Sequence, residues 1–288
     1  MQRPHVSRLR RRIAILAAAA TAVALSPAAR SAAAPADPTV DGMFDVGGHE
    51  LYLTCRGSGS PTVLYLHGAV FDPDVVPHRN ALGIRRHLEE HTRVCLYDRR
   101  NVGRSETVDA IQQPKDMVRD LENLLEAAQV DPPFVLLGAS FGGTLAHVYA
   151  AEHPDDVVGL VMLDSMVPDM LDIERYWPVK DERFKSLHRD DMFSTPERIS
   201  HWKVLKHGSR YAGDEPAVPL TYALAGQDPW DQSGHDEWDA RIMGIIHGYV
   251  DRWSPGRTVT LDTPHFMEVE VPEEIAGLVL DVIARADR

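Results

Sequence analysis

Short apolar runs alternate with amphipathic segments along most of the chain. From His49 to Cys55 (HELYLTC) polar and apolar positions alternate, as in a half-exposed strand, and Gly57-Ser58-Gly59-Ser60-Pro61 then turns the chain. Thr62–Leu66 (TVLYL) reads as a buried strand ending in His67-Gly68-Ala69. An amphipathic segment from about Pro77 to Glu90 leads to a second buried strand, Arg93–Tyr97, which ends at Asp98. Asp116–Ala128 sets Val118, Leu121, Leu124, Leu125 and Ala128 on one helical face. Phe134–Leu137, bounded by Pro132-Pro133 and Gly138, is again a strand. From Thr144, Leu145, Val148 and Tyr149 recur at helical spacing until His153-Pro154. Val157–Leu163 (VVGLVML) is a strand running into Asp164.

Strands alternating with helices predict a mostly parallel sheet covered on both faces. The alternation breaks from about residue 167 to 217. No strand pattern occurs there, but Tyr176, Trp177, Phe184, Phe193 and Trp202 do, and two short helices are expected near Asp181–Arg189 and Pro196–His207. An insert of this kind reads as a helical lid. The strand pattern then returns at Leu220–Leu224, ending at Ala225-Gly226-Gln227-Asp228. A helix from Glu237 to Trp253, a strand Arg257–Leu261 and a helix Pro272–Ala284 follow, with Asp262-Thr263-Pro264-His265 in the last connection.

The first 36 of the 288 residues do not fit this pattern. Arg8, Arg10, Arg11 and Arg12 precede an apolar run from Ile13 to Leu25, and small residues lead to Ala34-Pro35-Ala36. That order of basic, apolar and small residues predicts a secretory signal over 1–36 and one domain over 37–288, exported and without a stable membrane anchor once the signal is removed. Six arginines and no acid leave with it, so the net charge falls from −13 to −19. Such acidity argues against nucleic acid as a partner. His235-Asp236-Glu237-Trp238-Asp239 has no second cluster to complete a metal site, so a solvated helix start is expected there and no metal.

Between the Phe134 strand and its helix lies Gly138-Ala139-Ser140-Phe141-Gly142, a G-x-S-x-G on a sharp turn. A strand before it and a helix after it would project the Ser140 hydroxyl from the top of a sheet, at a helix N-terminus that favours developing negative charge. With His67-Gly68-Ala69, Asp98-Arg99-Arg100-Asn101-Val102-Gly103-Arg104-Ser105, Asp228 after a late strand and His265 before the last helix, the chain resembles the α/β-hydrolase superfamily, in its secreted serine esterase and lipase-like branch. Asn101 stands where the family's D-R-x-G-x-G-x-S loop has its first glycine, a mild departure because Asn tolerates left-handed backbone angles.

The resemblance implies the α/β-hydrolase fold, with a short helical lid inserted after the sixth strand. It implies a nucleophile–acid–histidine order, supplied as Ser140, Asp228 and His265, with Asp164 as the alternative acid. It also implies an oxyanion hole from the backbone N–H groups of Ala69 and Phe141, with His67 bracing that loop. The expected activity is cleavage of a small-molecule carboxylic ester through an acyl-enzyme, with no cofactor. Lactones, amides and N-terminal peptide bonds remain open to the same triad, and a non-catalytic binding protein on this fold is the rival from another class. Cys55 and Cys95 are the only cysteines. In the fold the chain resembles, their strands are neighbours, so export implies a disulfide between them.

Overall fold

The computed structural model describes residues 39–171, 195–227 and 236–288. The expected signal, the first expected lid helix and Asp228 lie outside these residues. The described strands are β1 (Val40–Asp45), β2 (Glu50–Arg56), β3 (Thr62–Leu66), β4 (Val94–Tyr97), β5 (Phe134–Ala139), β6 (Val157–Leu163), β7 (Leu220–Ala225) and β8 (Gly256–Leu261). They form one sheet in the order β1-β2-β4-β3-β5-β6-β7-β8. β1 and β2 are antiparallel, β2 pairs antiparallel with β4, and every pairing from β4 to β8 is parallel.

The two faces of the sheet follow from the pleat, since successive side chains point to opposite sides. Leu64 and Leu66 of β3 join a core with helices α2 (Pro114–Ala127), α3 (Phe141–Glu152), α4 (His201–Gly208) and α5 (Asp236–Val250). Val63 and Tyr65 face the other way, into a core with α1 (Leu82–Leu88), the single turn α6 (Met267–Glu270) and α7 (Pro272–Ala286). Burial on both faces is what makes the central strands read as continuous apolar runs. α2 begins at Pro114 under a capping box between Gln113 and Asp116.

The elements differ from the sequence pattern in places. β1 was not expected: Gly42 and two acids interrupt its six residues, and Met43 is exposed on an edge strand. α3 starts at Phe141 rather than Thr144, because Gly142 and Gly143 carry no apolar side chain to mark its first turn. The second expected lid helix, Pro196–His207, is observed as α4, which starts later, at His201, capped by Ser200, whose hydroxyl accepts from the Lys203 N–H. Cys55 and Cys95 are directly opposed on β2 and β4 and joined by a disulfide. Among the described residues no helix is long and apolar enough to cross a membrane.

Candidate active site

The sheet reverses its direction of growth at β3: the chain passes outward to β4, then returns to β5 on the other side. In an open parallel sheet the crevice at the carboxyl ends of two such strands is where ligands bind. Leu66, the last residue of β3, pairs with Gly138 of β5, so the loop carrying Ala69 and the turn carrying Ser140 leave the sheet side by side.

Ser140 sits at that turn with φ 49° and ψ −118°, a strained backbone for a residue with a side chain. Its N–H donates to the Leu163 carbonyl at 2.8 Å, anchoring the turn to β6. A Cβ at Gly142 would overlap the Leu66 carbonyl oxygen, and one at Gly138 would meet the Gly143 Cα at 2.5 Å. These two glycines allow strand, turn and helix to approach closely enough to hold Ser140 in place. Phe141 is the first residue of α3, where the backbone N–H has no partner within the helix.

Asp164 follows β6 as Ser140 follows β5. It is buried, has φ 43°, and its N–H donates to the Ala223 carbonyl at 2.8 Å. Its Oδ2 lies 2.6 Å from His265 Nδ1, which brings the half-buried imidazole beside the end of β6. With Nδ1–H donated to the carboxylate, Nε2 is the basic nitrogen of the ring. The structure thus gives His265 to Asp164, where the sequence pattern favoured Asp228. Asp228 lies outside the described residues. Both aspartates follow an apolar strand in the sequence, and it is Asp164, at φ 43°, whose carboxylate meets His265.

The Ala69 loop is held from beneath. His67 Nδ1 lies 2.7 Å from the Gly68 carbonyl and its Nε2 accepts from the Arg99 N–H at 3.1 Å, so the ring is the neutral Nδ1–H tautomer. Burial, with the Arg99 charge acting in the same direction, keeps its pKa well below the usual histidine value. The bracing expected of His67 is therefore present. Arg99 reaches the same loop with its guanidinium, donating to the His67 carbonyl at 2.6 Å and the Gly68 carbonyl at 2.7 Å. Its Nε donates to Glu197 at 2.8 Å. Glu197 was missed in the sequence, where Thr195-Pro196-Glu197 reads as an ordinary helix start.

The Asp98–Ser105 loop folds as the motif suggests. Asn101 adopts φ 73°, and Asp98 accepts from the His78 N–H at 2.8 Å and from the Arg104 N–H at 3.0 Å. Beside the Ala69 loop opens a cavity of about 410 Å³, whose lining combines apolar side chains, among them Val70, Phe71, Pro77, Phe266 and Val269, with Asp72, Asn80 and Glu270. Glu268 also lines it. Its buried carboxyl accepts from the Tyr65 hydroxyl at 3.3 Å, and burial raises its pKa above the usual carboxylate value. Among the described residues no group of three His, Cys or acidic side chains could hold a metal ion.

Comparison with known proteins agrees with this architecture. The sequence pattern of the alpha/beta hydrolase fold matches residues 61–203. The chain is 24% identical over 191 residues to the uncharacterized protein YqjL of Bacillus subtilis, a match covering 64% of this chain and 73% of that one. It is 33% identical over 138 residues to a proline iminopeptidase of Arabidopsis thaliana, covering 46% of this chain and 34% of that protein. A thermophilic esterase from Thermogutta terrifontis superposes with a TM-score of 0.60, covering 86% of this chain and 99% of that one at 16% identity, a likeness of fold. With its eight-stranded sheet, serine turn and matching sequence pattern, the chain is a member of the α/β-hydrolase fold superfamily.

Proposed function

We propose that the protein is an exported serine hydrolase that cleaves carboxylic esters, with Ser140 as nucleophile, His265 as base and Asp164 as the orienting acid. The observation that carries this reading is the 2.6 Å contact between His265 Nδ1 and Asp164 Oδ2, next to a serine held at a strained strand–helix turn. A serine hydroxyl attacks poorly until a base accepts its proton, which is the task of His265 Nε2. Asp164 holds the imidazole in the tautomer whose Nε2 is the basic nitrogen and stabilises the imidazolium that forms. The Ala69 and Phe141 N–H groups receive the carbonyl oxygen as it becomes an oxyanion, each worth roughly 3 kcal/mol in the transition state. The imidazolium then protonates the departing alcohol. Water, deprotonated by the same histidine, releases the acid from Ser140.

The mainly apolar cavity beside Ala69 suits an uncharged acyl or alcohol group of moderate size. Export is supported by the basic, apolar and small-residue order of residues 1–36, and by the Cys55–Cys95 disulfide, a bond that persists in oxidising compartments.

The test is a panel of p-nitrophenyl esters of increasing acyl length, combined with fluorophosphonate labelling of Ser140. Turnover with a single adduct on Ser140 is the expected result; folded protein that neither turns over nor is labelled would overturn the reading and favour a binding protein. The similarity to a proline iminopeptidase favours one second reading, hydrolysis of an N-terminal peptide bond by the same residues. Aminoacyl anilides in the same panel separate the two: a higher kcat/KM on anilides than on esters would select it.

A further inference from the structure

We propose that Arg99 and Glu197 form a positioning pair that aims the Ala69 N–H at the oxyanion, an assignment that rests on the serine hydrolase reading above. The argument starts from the peptide plane. The carbonyl of Gly68 and the N–H of Ala69 belong to one planar trans unit and point in opposite directions, so whatever fixes the carbonyl fixes the N–H. The Gly68 carbonyl is held from two sides, by Arg99 Nη2 at 2.7 Å and by His67 Nδ1 at 2.7 Å. Arg99 Nη1 holds the preceding carbonyl, of His67, at 2.6 Å. On the other side of Ala69, the Val70 N–H donates to Glu197 Oε2 at 2.6 Å.

The ion pair itself joins these grips. Arg99 Nε meets Glu197 Oε1 at 2.8 Å, and both side chains are almost wholly buried. One residue pair therefore holds the peptide groups before and after Ala69 and leaves the Ala69 N–H as the donor presented to the site. Donors on the Gly68 carbonyl also polarise the shared amide and strengthen its N–H as a hydrogen-bond donor. The second arm of the oxyanion hole is packed against the same pair, because the Arg99 guanidinium lies 5.0 Å from the Phe141 ring centroid.

Glu197 is fixed in turn by its backbone. Its carbonyl accepts from Gln112 Nε2 at 2.5 Å, and the Gln112 N–H donates to the Arg198 carbonyl at 3.0 Å. Glu197 belongs to the segment that returns from the insert after β6, whereas Arg99 belongs to the loop after β4. The seating of that segment and the alignment of the oxyanion donor are thus mechanically linked.

The decisive variant is Arg99→Met/Glu197→Met. Replacing a buried ion pair by apolar residues of similar volume is often neutral in itself. Here, however, the His67 and Gly68 carbonyls and the Val70 N–H each lose a partner as the grip on the loop is removed, so urea unfolding is measured before kinetics. Removing an oxyanion donor outright lowers kcat about 10²- to 10³-fold, and misaiming one is expected to lower kcat about 10- to 100-fold. KM should stay within about threefold, since ground-state binding does not use this donor. The affinity for an aryl trifluoromethyl ketone, which forms the oxyanion on Ser140, should fall in the same ratio as kcat/KM. Rates are normalised to fluorophosphonate-titrated sites, so a merely structural role, which lowers the fraction of competent protein, leaves normalised kcat unchanged.

If the double variant does not fold, Arg99→Lys serves instead. It keeps the charge beside Glu197 but has no planar fork to hold two carbonyls at once, and about a tenfold loss in kcat is expected. Wild-type normalised kcat in whichever of these variants folds, or unchanged ketone affinity, overturns the positioning assignment while leaving the serine hydrolase intact. A wild-type protein without turnover or labelling sinks both.

Discussion

His265 Nδ1 meets Asp164 Oδ2 at 2.6 Å across 101 residues of sequence. The contact joins the loop after β8 to the turn after β6, on either side of the intervening strand β7. Asp164 follows Leu163, the residue paired with Ala139, so the proposed acid stands one strand away from the Ser140 turn.

Removing that carboxylate's charge should therefore be severe. Asp164→Asn is expected to lower kcat by up to about 10⁴-fold, because the amide favours the wrong imidazole tautomer. Ser140→Ala and His265→Ala should each abolish turnover to a similar degree, since nucleophile and base act as one unit. Steady-state kinetics on a p-nitrophenyl ester provide the check. A larger loss in Asp228→Asn than in Asp164→Asn would return the acid role to the aspartate after β7.

The serine turn is expected to be intolerant of one extra methyl group. A Cβ at Gly142 would overlap the Leu66 carbonyl oxygen, which is backbone of a central strand and cannot rotate away. Gly142→Ala should destabilise the fold by roughly 3 kcal/mol, the upper range for overpacking a core. Urea unfolding reads the loss directly. Wild-type stability in this variant would show that α3 can shift away from β3 without cost.

Much of this arrangement was legible in the sequence where local chemistry carried it. Runs such as Thr62–Leu66 and Val157–Leu163 announce buried strands because both faces of the sheet are covered. Ser140 announces itself because a strained turn between strand and helix needs glycines at 138 and 142. That Asp164 meets His265 was not legible, since Asp164 and Asp228 each follow an apolar strand and nothing local marks the positive φ at Asp164. Nor was Glu197, whose partner Arg99 lies 98 residues away and whose own neighbours, Pro196 and Arg198, give no sign of burial. β1 escaped for the opposite reason: an edge strand half open to water needs no apolar run.

Glu268 makes stability depend on pH with a definite sign. Burial raises its pKa above 4.5, with the Tyr65 hydroxyl and the nearby His265 opposing that rise. The folded state then binds the proton more tightly than the unfolded state. Its contribution is fully present below the unfolded value and is lost as pH rises through the folded one. Glu268→Gln keeps an acceptor for Tyr65 but never ionises. The Tm of the variant relative to wild type should accordingly increase from pH 4 to pH 8. A difference in Tm that stays flat or falls over that range would contradict the assignment.

The disulfide offers a separate test, remote from the chemistry. Cys55 and Cys95 are buried and directly opposed on antiparallel strands, with Cα atoms 4.1 Å apart and 40 residues between them in sequence. Joining residues that far apart removes conformations from the unfolded chain, and a loop of this length is worth about 4 kcal/mol on the chain-entropy model. Measured disulfide contributions are typically about 2–4 kcal/mol, so Cys55→Ala/Cys95→Ala is expected to lose that much in urea unfolding. The bond ties β2 to β4 and touches neither Ser140 nor His265. Turnover per titrated site at 25 °C should therefore match wild type, while the midpoint of unfolding falls. Mass spectrometry of the non-reduced wild type, alkylated under denaturing conditions, checks the premise: the bonded pair takes up no label. Two alkylated cysteines in protein from an oxidising compartment would remove both the bond and the argument for export that rests on it.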